Sequence, residues 1–153
     1  MNALAADHDR GARTGFTLVE LVVVVAVVAL LAALAAPNLQ RALLRARATE
    51  AVADLHTARL AVLGYLGDHH RYPPDNLAGS VPTELRPYLP ENFSFVGEGY
   101  LLDYDEWTSG PGFVAMSVIT DDRDLGLMVL DMLGPDGFTN GARLYSWIIE
   151  WTD

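Results

Sequence analysis

The chain has 153 residues, and its 20 Asp and Glu residues against 10 Arg give a formal net charge of −10. This length allows one globular domain of modest size. The absence of Cys excludes a fold held by disulfides. The acidic surplus argues against nucleic acid as a direct partner, because phosphate binding requires basic patches.

Residues 1–15 precede a long apolar run and are predicted to be a leader. Arg residues lie on both sides of that run: Arg10 and Arg13 come before it, and Arg41, Arg45 and Arg47 come after it. The positive-inside rule therefore does not decide which end of the run faces the cytoplasm.

The apolar run extends from Phe16 to Ala36 and contains only two polar residues, Thr17 and Glu20. About 20 apolar residues suffice for a helix to cross the hydrocarbon core of a bilayer, so the run predicts a transmembrane helix. An ionisable side chain within such a span is costly and is by default a candidate functional residue. We therefore expect a function for Glu20.

The segment G-F-T-L-V-E at residues 15–20, with the apolar run that ends at Pro37, resembles the type III signal sequence of type IV pilins and pseudopilins. The resemblance implies cleavage after Gly15 by a prepilin peptidase, N-methylation of the new terminus Phe16, and assembly into a helical filament. It also implies that Glu20 meets the terminal amine of a neighbouring subunit and so sets the register.

The same resemblance implies a location and a set of partners. The leader lies in the cytoplasm, the span in the bacterial inner membrane, and the remainder in the periplasm until the chain joins a filament. The implied partners are the prepilin peptidase, identical or related subunits, the inner-membrane assembly platform and the lipid bilayer. Two features depart from many family members, because Ala29 stands where Gly is frequent and no C-terminal disulfide can form. The resemblance leaves open whether the filament is a surface pilus, a competence filament or a type II secretion pseudopilus.

Other interpretations of the apolar run also stay open. A Sec signal peptide would place its cleavage site within Ala33–Ala36. A plain signal anchor explains the run but requires neither Glu20 nor the Gly15-Phe16 pair. A membrane-anchored periplasmic binding module or enzyme would use the helix only as a tether.

Residues 16–67 are predicted to form one long helix with a kink near Pro37, whose ring lacks an N–H group and crowds the preceding turn. Residues 37–67 form its amphipathic half. Arg47 and Glu50 are three residues apart and are expected to pair weakly. Apolar residues recur at steps of three or four and predict a side on which a sheet packs: Leu44, Ala48, Ala51, Leu55, Ala58, Val62 and Leu66.

Residues 68–153 are predicted to form an acidic head, which contains 15 Asp or Glu and four Arg. Arg71-Tyr72-Pro73 resembles the Tyr-Pro step that follows the long helix in many family members. Pro and Gly interrupt residues 67–90, where Thr83–Tyr88 predicts one short helical turn.

The rest of the head predicts strands and one helix. Asp121–Leu133 predicts a helix that Thr120 or Asp121 caps and Gly134 ends, and Gly110–Gly112 predicts a turn. The predicted strands are Tyr100–Trp107, the central Phe113–Ile119, and Arg143–Trp151. The predicted fold is α+β and type IV pilin-like, with a long N-terminal helix, an antiparallel sheet of three or four strands, and one additional helix near residues 121–133.

Three groups of side chains have the chemistry of metal ligands but not the spacing of a known site. They are His56, Asp68, His69, His70 and Asp75; Asp103, Asp105 and Glu106; and Asp121, Asp122 and Asp124. We expect no cofactor, and calcium on one of the two acidic groups is the alternative. The sequence also lacks known catalytic motifs, so we expect no catalytic residue and no enzyme activity.

Overall fold

The computed structural model describes residues 15–107, 112–141 and 143–152. The rest of the predicted leader and most of the predicted turn Gly110–Gly112 lie outside these residues. The longest element is the helix α1, Leu18–His69, which contains Pro37. It begins and ends two residues later in the chain than predicted, and the kink expected near Pro37 stays a prediction.

The chain divides into two compact units, the first ending at Leu39 and the second beginning at Gln40. Every described residue of the first unit is exposed. An 18-residue window of α1 has a mean hydropathy of 3.0, and none of that window is buried. By length and composition, α1 is therefore able to cross a membrane. The four-part division of the chain stays a prediction.

In the second unit, one side of α1 is buried and contributes to the core. Leu44 and Leu66, at the two ends of the predicted side, are only partly buried. Ala61 and Tyr65, which the prediction missed, are buried as well. The predicted residues that are fully buried are Ala48, Ala51, Leu55, Ala58 and Val62. The predicted packing side of the helix is therefore confirmed.

The sheet has five antiparallel strands in the order β1-β2-β3-β5-β4. They are β1 Val96–Gly97, β2 Tyr100–Trp107, β3 Gly112–Ile119, β4 Gly137–Asn140 and β5 Leu144–Thr152. The α+β architecture is confirmed, with β3 central as predicted. The expected number of three or four strands was too low, because β1 and β4 are short, contain Gly and give little alternation.

Alternate side chains of β2 enter the core as the alternation predicted. Tyr100, Leu102 and Tyr104 are each at most 3% exposed. On β5, Tyr145 is buried and Trp147 is partly buried against the same core. The side chain of Trp151, at the end of the strand predicted from Arg143 to Trp151, lies outside the described part of the chain.

The helix α2, Arg123–Leu133, has a different cap from the one predicted. Asp122, and not Thr120 or Asp121, is the N-cap, and its Oδ1 accepts hydrogen bonds from two backbone N–H groups at 3.0 and 3.2 Å. Thr120 instead stabilises the preceding turn, where its Oγ1 accepts from the Asp122 N–H at 3.1 Å. Gly134, with φ at +69°, ends the helix as predicted.

The close approach of α2 to β5 depends on Gly126. A Cβ atom at this position would lie 2.0 Å from the ring of Tyr145, well inside any real contact distance. Both residues are buried, so a larger residue would force the helix away from the sheet.

The segment between α1 and β1 is held to β2 by hydrogen bonds. The Tyr104 hydroxyl donates to the carbonyl oxygen of Pro73 at 3.0 Å, and the Gly79 N–H donates to that of Leu102 at 2.8 Å. The predicted helical turn is confirmed as the 3₁₀ turn Thr83–Tyr88.

One predicted ion pair is wrong. Arg47 pairs with Glu98, in the turn between β1 and β2, and not with Glu50. A pair of exposed residues three positions apart on a helix gains only about 0.2–0.5 kcal/mol, so a carboxylate from the sheet competes easily for the Arg side chain.

Candidate functional site

The beginning of α1 is organised by the side chain of Thr17. Thr17 is the last residue before the helix, and its Oγ1 accepts a hydrogen bond from the Glu20 N–H at 3.2 Å. The Thr17 carbonyl oxygen accepts another from the Leu21 N–H at 3.2 Å. Thr17 is therefore the N-cap of α1 and satisfies an N–H group that has no partner within the helix.

Glu20 occupies the third position of α1, where a carboxylate interacts favourably with the positive end of the helix dipole. The Thr17 hydroxyl donates to Glu20 Oε2 over 3.5 Å. A Thr followed three residues later by Glu is the pattern of a capping box, and this spacing could have identified Thr17 from the sequence. The Glu20 side chain is exposed, so it remains accessible to a cation on another molecule.

Gly15 and Phe16 lie just before the helix, and Phe16 is 81% exposed. A Cβ atom added to Gly15 meets no atom of the described residues within 4 Å, and the Gly15 backbone has a conformation open to any residue. Among the described residues, neither packing nor backbone geometry therefore requires Gly at this position.

Large apolar side chains cover the surface of residues 16–34. Thirteen of them are at least 51% exposed. Burying one such side chain contributes about 1.5–3 kcal/mol, so leaving the set in water forfeits about 20 kcal/mol or more. The segment therefore requires hydrocarbon or an apolar protein surface around it.

Residues 10–36 match the family model of the prokaryotic N-terminal methylation motif. This is the prepilin motif of type IV pilins and pseudopilins. The matched residues include Gly15, Phe16 and Glu20, so the resemblance seen in the sequence is confirmed. No curated protein and no solved structure matches the chain.

Outside the prepilin motif, the candidate ligands near the end of α1 do not form one site. The ring of His56 meets Trp147 edge to face, with 4.6 Å between centroids. Asp68 accepts a hydrogen bond from a Tyr hydroxyl at 2.7 Å, while His69 and His70 are exposed. Within residues 15–107, 112–141 and 143–152, no group of three or more His, Asp or Glu side chains is arranged to hold a metal ion.

Three acidic residues of β2 share an environment with Asp75. Burial, and then the carboxylates of Asp105 and Asp75, raise the pKa of Asp103 to about 7. Burial also raises the pKa of Asp105, against a hydrogen bond from the Ser117 hydroxyl. Burial and then Asp75 raise the pKa of Glu106. The stability of the head therefore depends on pH through this group.

The acidic residues before and at the start of α2 have structural partners. Asp121 pairs with Arg143, and Asp122 caps the helix. In the sheet, the buried hydroxyls of Ser117 and Ser146 lie 2.8 Å apart, and Ser117 donates to a β2 carboxylate at 3.2 Å. The expected absence of catalytic residues stays a prediction.

Proposed function

We propose that this chain is a structural subunit of a type IV filament, a pilin or pseudopilin, and that its prepilin motif directs its maturation. The supporting observation is that residues 18–36 of the motif at 10–36 lie on a helix, and that the apolar surface of these residues is wholly exposed. In this proposal residues 1–15 are the leader, 16–36 the span and later the filament core, 37–67 the amphipathic half of the helix, and 68–153 the head.

The exposed apolar surface has a different environment in each of two stages. Before assembly, the hydrocarbon of the inner membrane surrounds residues 16–36, with the N-terminus in the cytoplasm and the head in the periplasm. After extraction by the inner-membrane assembly platform, the same side chains pack on neighbouring subunits. Contacts with lipid are replaced by contacts with protein, so the roughly 20 kcal/mol of apolar burial is retained in both stages.

Glu20 sets the register of subunits in the filament. A carboxylate buried alone among apolar helices costs several kcal/mol. Beside the methylated amine of Phe16 from a neighbouring subunit, the two opposite charges compensate each other. Because Glu20 is exposed at the first turn of α1, a second molecule can reach it without a rearrangement of α1.

Prepilin peptidase cuts between Gly15 and Phe16. Both residues are exposed ahead of the first helical turn, and the open space around Gly15 means that the fold does not explain the residue at this position. Recognition by the peptidase explains it, because a residue without a side chain is easily accommodated in a protease cleft. The filament is then a periplasmic pseudopilus or a surface pilus, built of identical or related subunits.

The test is the intact mass and N-terminal sequence of the protein purified from its native membranes. We expect a chain that begins at Phe16 and carries one additional methyl group. A chain that still begins at Met1, in cells with an active prepilin peptidase, would overturn the proposal and favour a membrane-anchored binding module or enzyme.

Gly15→Leu is the matched variant for this test. It should remain uncut, because a bulky side chain occupies the peptidase cleft, while the head keeps its fold. Appearance of the shortened chain in this variant, at the rate of the wild type, would count against recognition of Gly15.

A further inference from the structure

α1 has a second side in the second unit, distinct from the side that it buries against the head. Seven exposed residues lie along it at alternating steps of four and three, and none of them is charged. At 1.5 Å per residue they span about 30 Å. These residues, called here the outer face of α1, are Ala42, Ala46, Thr49, Ala53, His56, Leu60 and Leu63.

The outer face is mainly apolar although it is exposed, and His56 at its edge also contacts Trp147 of β5. Leu60 is 70% exposed and Leu63 is 37% exposed. The Thr49 hydroxyl donates to the Arg45 carbonyl oxygen at 2.8 Å, so Thr49 adds a methyl group and no unsatisfied donor. A continuous exposed surface of this kind, bordered by charged residues, is typical of a site where another helix packs.

The spacing of the outer face specifies the kind of partner. Steps of four and three average 3.5 residues, the repeat of helices that pack side by side in a left-handed coiled coil. In heptad notation Ala46, Ala53 and Leu60 occupy position a, and the other four residues occupy position d. The short Ala side chains allow the two helix axes to approach closely.

Two charges beside the outer face specify the orientation of that partner. Arg45 occupies position g and Glu50 occupies position e, and both are exposed. Neither has an ion-pair partner among the residues that the structure describes. In a parallel pair in register, position g of one heptad lies beside position e of the partner's next heptad. Arg45 of each copy then lies beside Glu50 of the other.

The other charged g position, which is Arg59 two heptads further along, introduces no repulsion in this arrangement. The Arg59 guanidinium lies 4.2 Å from the ring centre of Trp147 in its own chain. In the partner it would meet position e of the following heptad, which is Gly64. The charge pattern therefore favours two parallel copies of α1 in register.

We propose that two copies of this chain associate through the outer face of α1, parallel and in register, while both are anchored in the membrane. The orientation rests on the membrane anchoring in the proposed function. Two copies that are each anchored by their own residues 16–36 lie parallel and at the same height in the membrane. Confinement to one membrane raises their effective concentration, so a contact of modest size suffices. This pairing precedes filament assembly, and the prepilin motif does not imply it.

Cysteine cross-linking tests the pairing, because the chain has no Cys of its own. Ala53→Cys places two thiols at one a position, where the helices of such a pair are close enough for a disulfide. The full chain, also carrying Gly15→Leu, is expressed alone in bacterial membranes and exposed to a mild oxidant. Ala78→Cys, at an exposed Ala in the segment before β1, is the matched control. We expect a covalent dimer from Ala53→Cys and several times less from Ala78→Cys.

Exchange of the two charges provides a second readout in the Ala53→Cys background. Arg45→Glu alone and Glu50→Arg alone place like charges side by side, and each should lower the dimer yield severalfold. The double variant re-creates the pair with the signs reversed and should restore the yield. Within one helix the two residues are five positions apart and do not face each other, so restoration reports on the contact between copies.

The outcomes that overturn the proposal are distinct. Equal yields from Ala53→Cys and Ala78→Cys would indicate random collision. A double variant no better than the two single variants would exclude the parallel register. In the native host, Ala53→Cys linked to a different protein and never to itself would identify a heterologous partner and overturn the homodimer.

Failure of this inference is distinguishable from failure of the proposed function. The Gly15→Leu chain is not processed, yet it should still form the cross-link. Loss of the cross-link with normal processing of the wild type would overturn the pairing alone. An unprocessed wild type with an intact cross-link would overturn the filament assignment alone.

Discussion

Asp103 is predicted to make the head less stable as the pH rises from about 4 to about 7. Burial, followed by the carboxylates of Asp105 and Asp75, raises its pKa from 3.8 to about 7, against a hydrogen bond from the Tyr104 N–H. Between these values the folded chain holds a proton that the unfolded chain has released. Raising the pH through this window therefore favours unfolding.

The expected size of the effect follows from the shift in pKa. A shift of about three units at about 1.4 kcal/mol per unit gives an upper limit of roughly 4 kcal/mol. The Asp103 side chain is only half-buried, so solvent screening reduces this to about 1–2 kcal/mol. Asp103→Asn keeps the size of the side chain and removes its titration. The free energy of unfolding should then rise by about 1–2 kcal/mol near pH 8 and stay unchanged near pH 4.

The assay is urea unfolding of the full chain in detergent, followed by Trp fluorescence across this pH range. All three Trp residues lie beyond residue 100, so the signal reports on the head. Asp136→Asn, the same substitution at an exposed site, controls for the change in net charge. An equal gain at both ends of the pH range, or an equal gain in the control, would refute the reasoning.

Three further substitutions test separate parts of the structure. Glu20→Ala should leave cleavage intact and impair filament assembly, as immunoblots of membranes and sheared filaments would reveal; normal filament abundance would exclude the register role. Asp122→Ala removes the N-cap of α2 and should cost about 1 kcal/mol in urea unfolding; a change near zero would mean that the cap adds nothing. Gly126→Ala places a methyl group on the Tyr145 ring and should cost about 1–3 kcal/mol; wild-type stability would mean that α2 adjusts without strain.

The parts of the fold that the sequence predicted correctly are those with strong periodicity. The run that begins at Phe16, the buried side of α1, and the alternation in β2 each repeat over several residues. The prepilin motif was equally visible, because its chemistry depends on adjacent residues and not on the fold. A long repeat averages out the influence of any one tertiary contact, so local rules suffice there.

The features that the sequence did not predict depend on tertiary contacts, or on which of several nearby residues acts as a cap or an ion-pair partner. The two-residue β1 and the four-residue β4 are too short for a pattern and exist because β2 and β5 offer them hydrogen bonds. Three consecutive candidates, Thr120 to Asp122, could each have capped α2. Arg47 has acidic residues available on both its own helix and the sheet. In each case several local solutions are nearly equal in energy, and packing selects one.

The side of α1 that lacks a partner could not be identified by periodicity either. Apolar residues lie on two sides of its second half, and the sequence predicted the side that meets the sheet but not that the opposite side stays exposed. Burial of Ala48, Leu55 and Val62 assigns one side to the head, and only then does the exposure of Ala53 and Leu60 become informative.

The open surroundings of Gly15 have a consequence for how this chain evolves. Residues in a core are constrained by the neighbours they touch, whereas no atom of the described residues lies within 4 Å of a Cβ added to Gly15. In the proposed function, the requirement for Gly at this position comes instead from the prepilin peptidase that recognises the signal. On that proposal, substitutions in the head leave the processing signal unchanged, and substitutions at Gly15 leave the fold of the head unchanged.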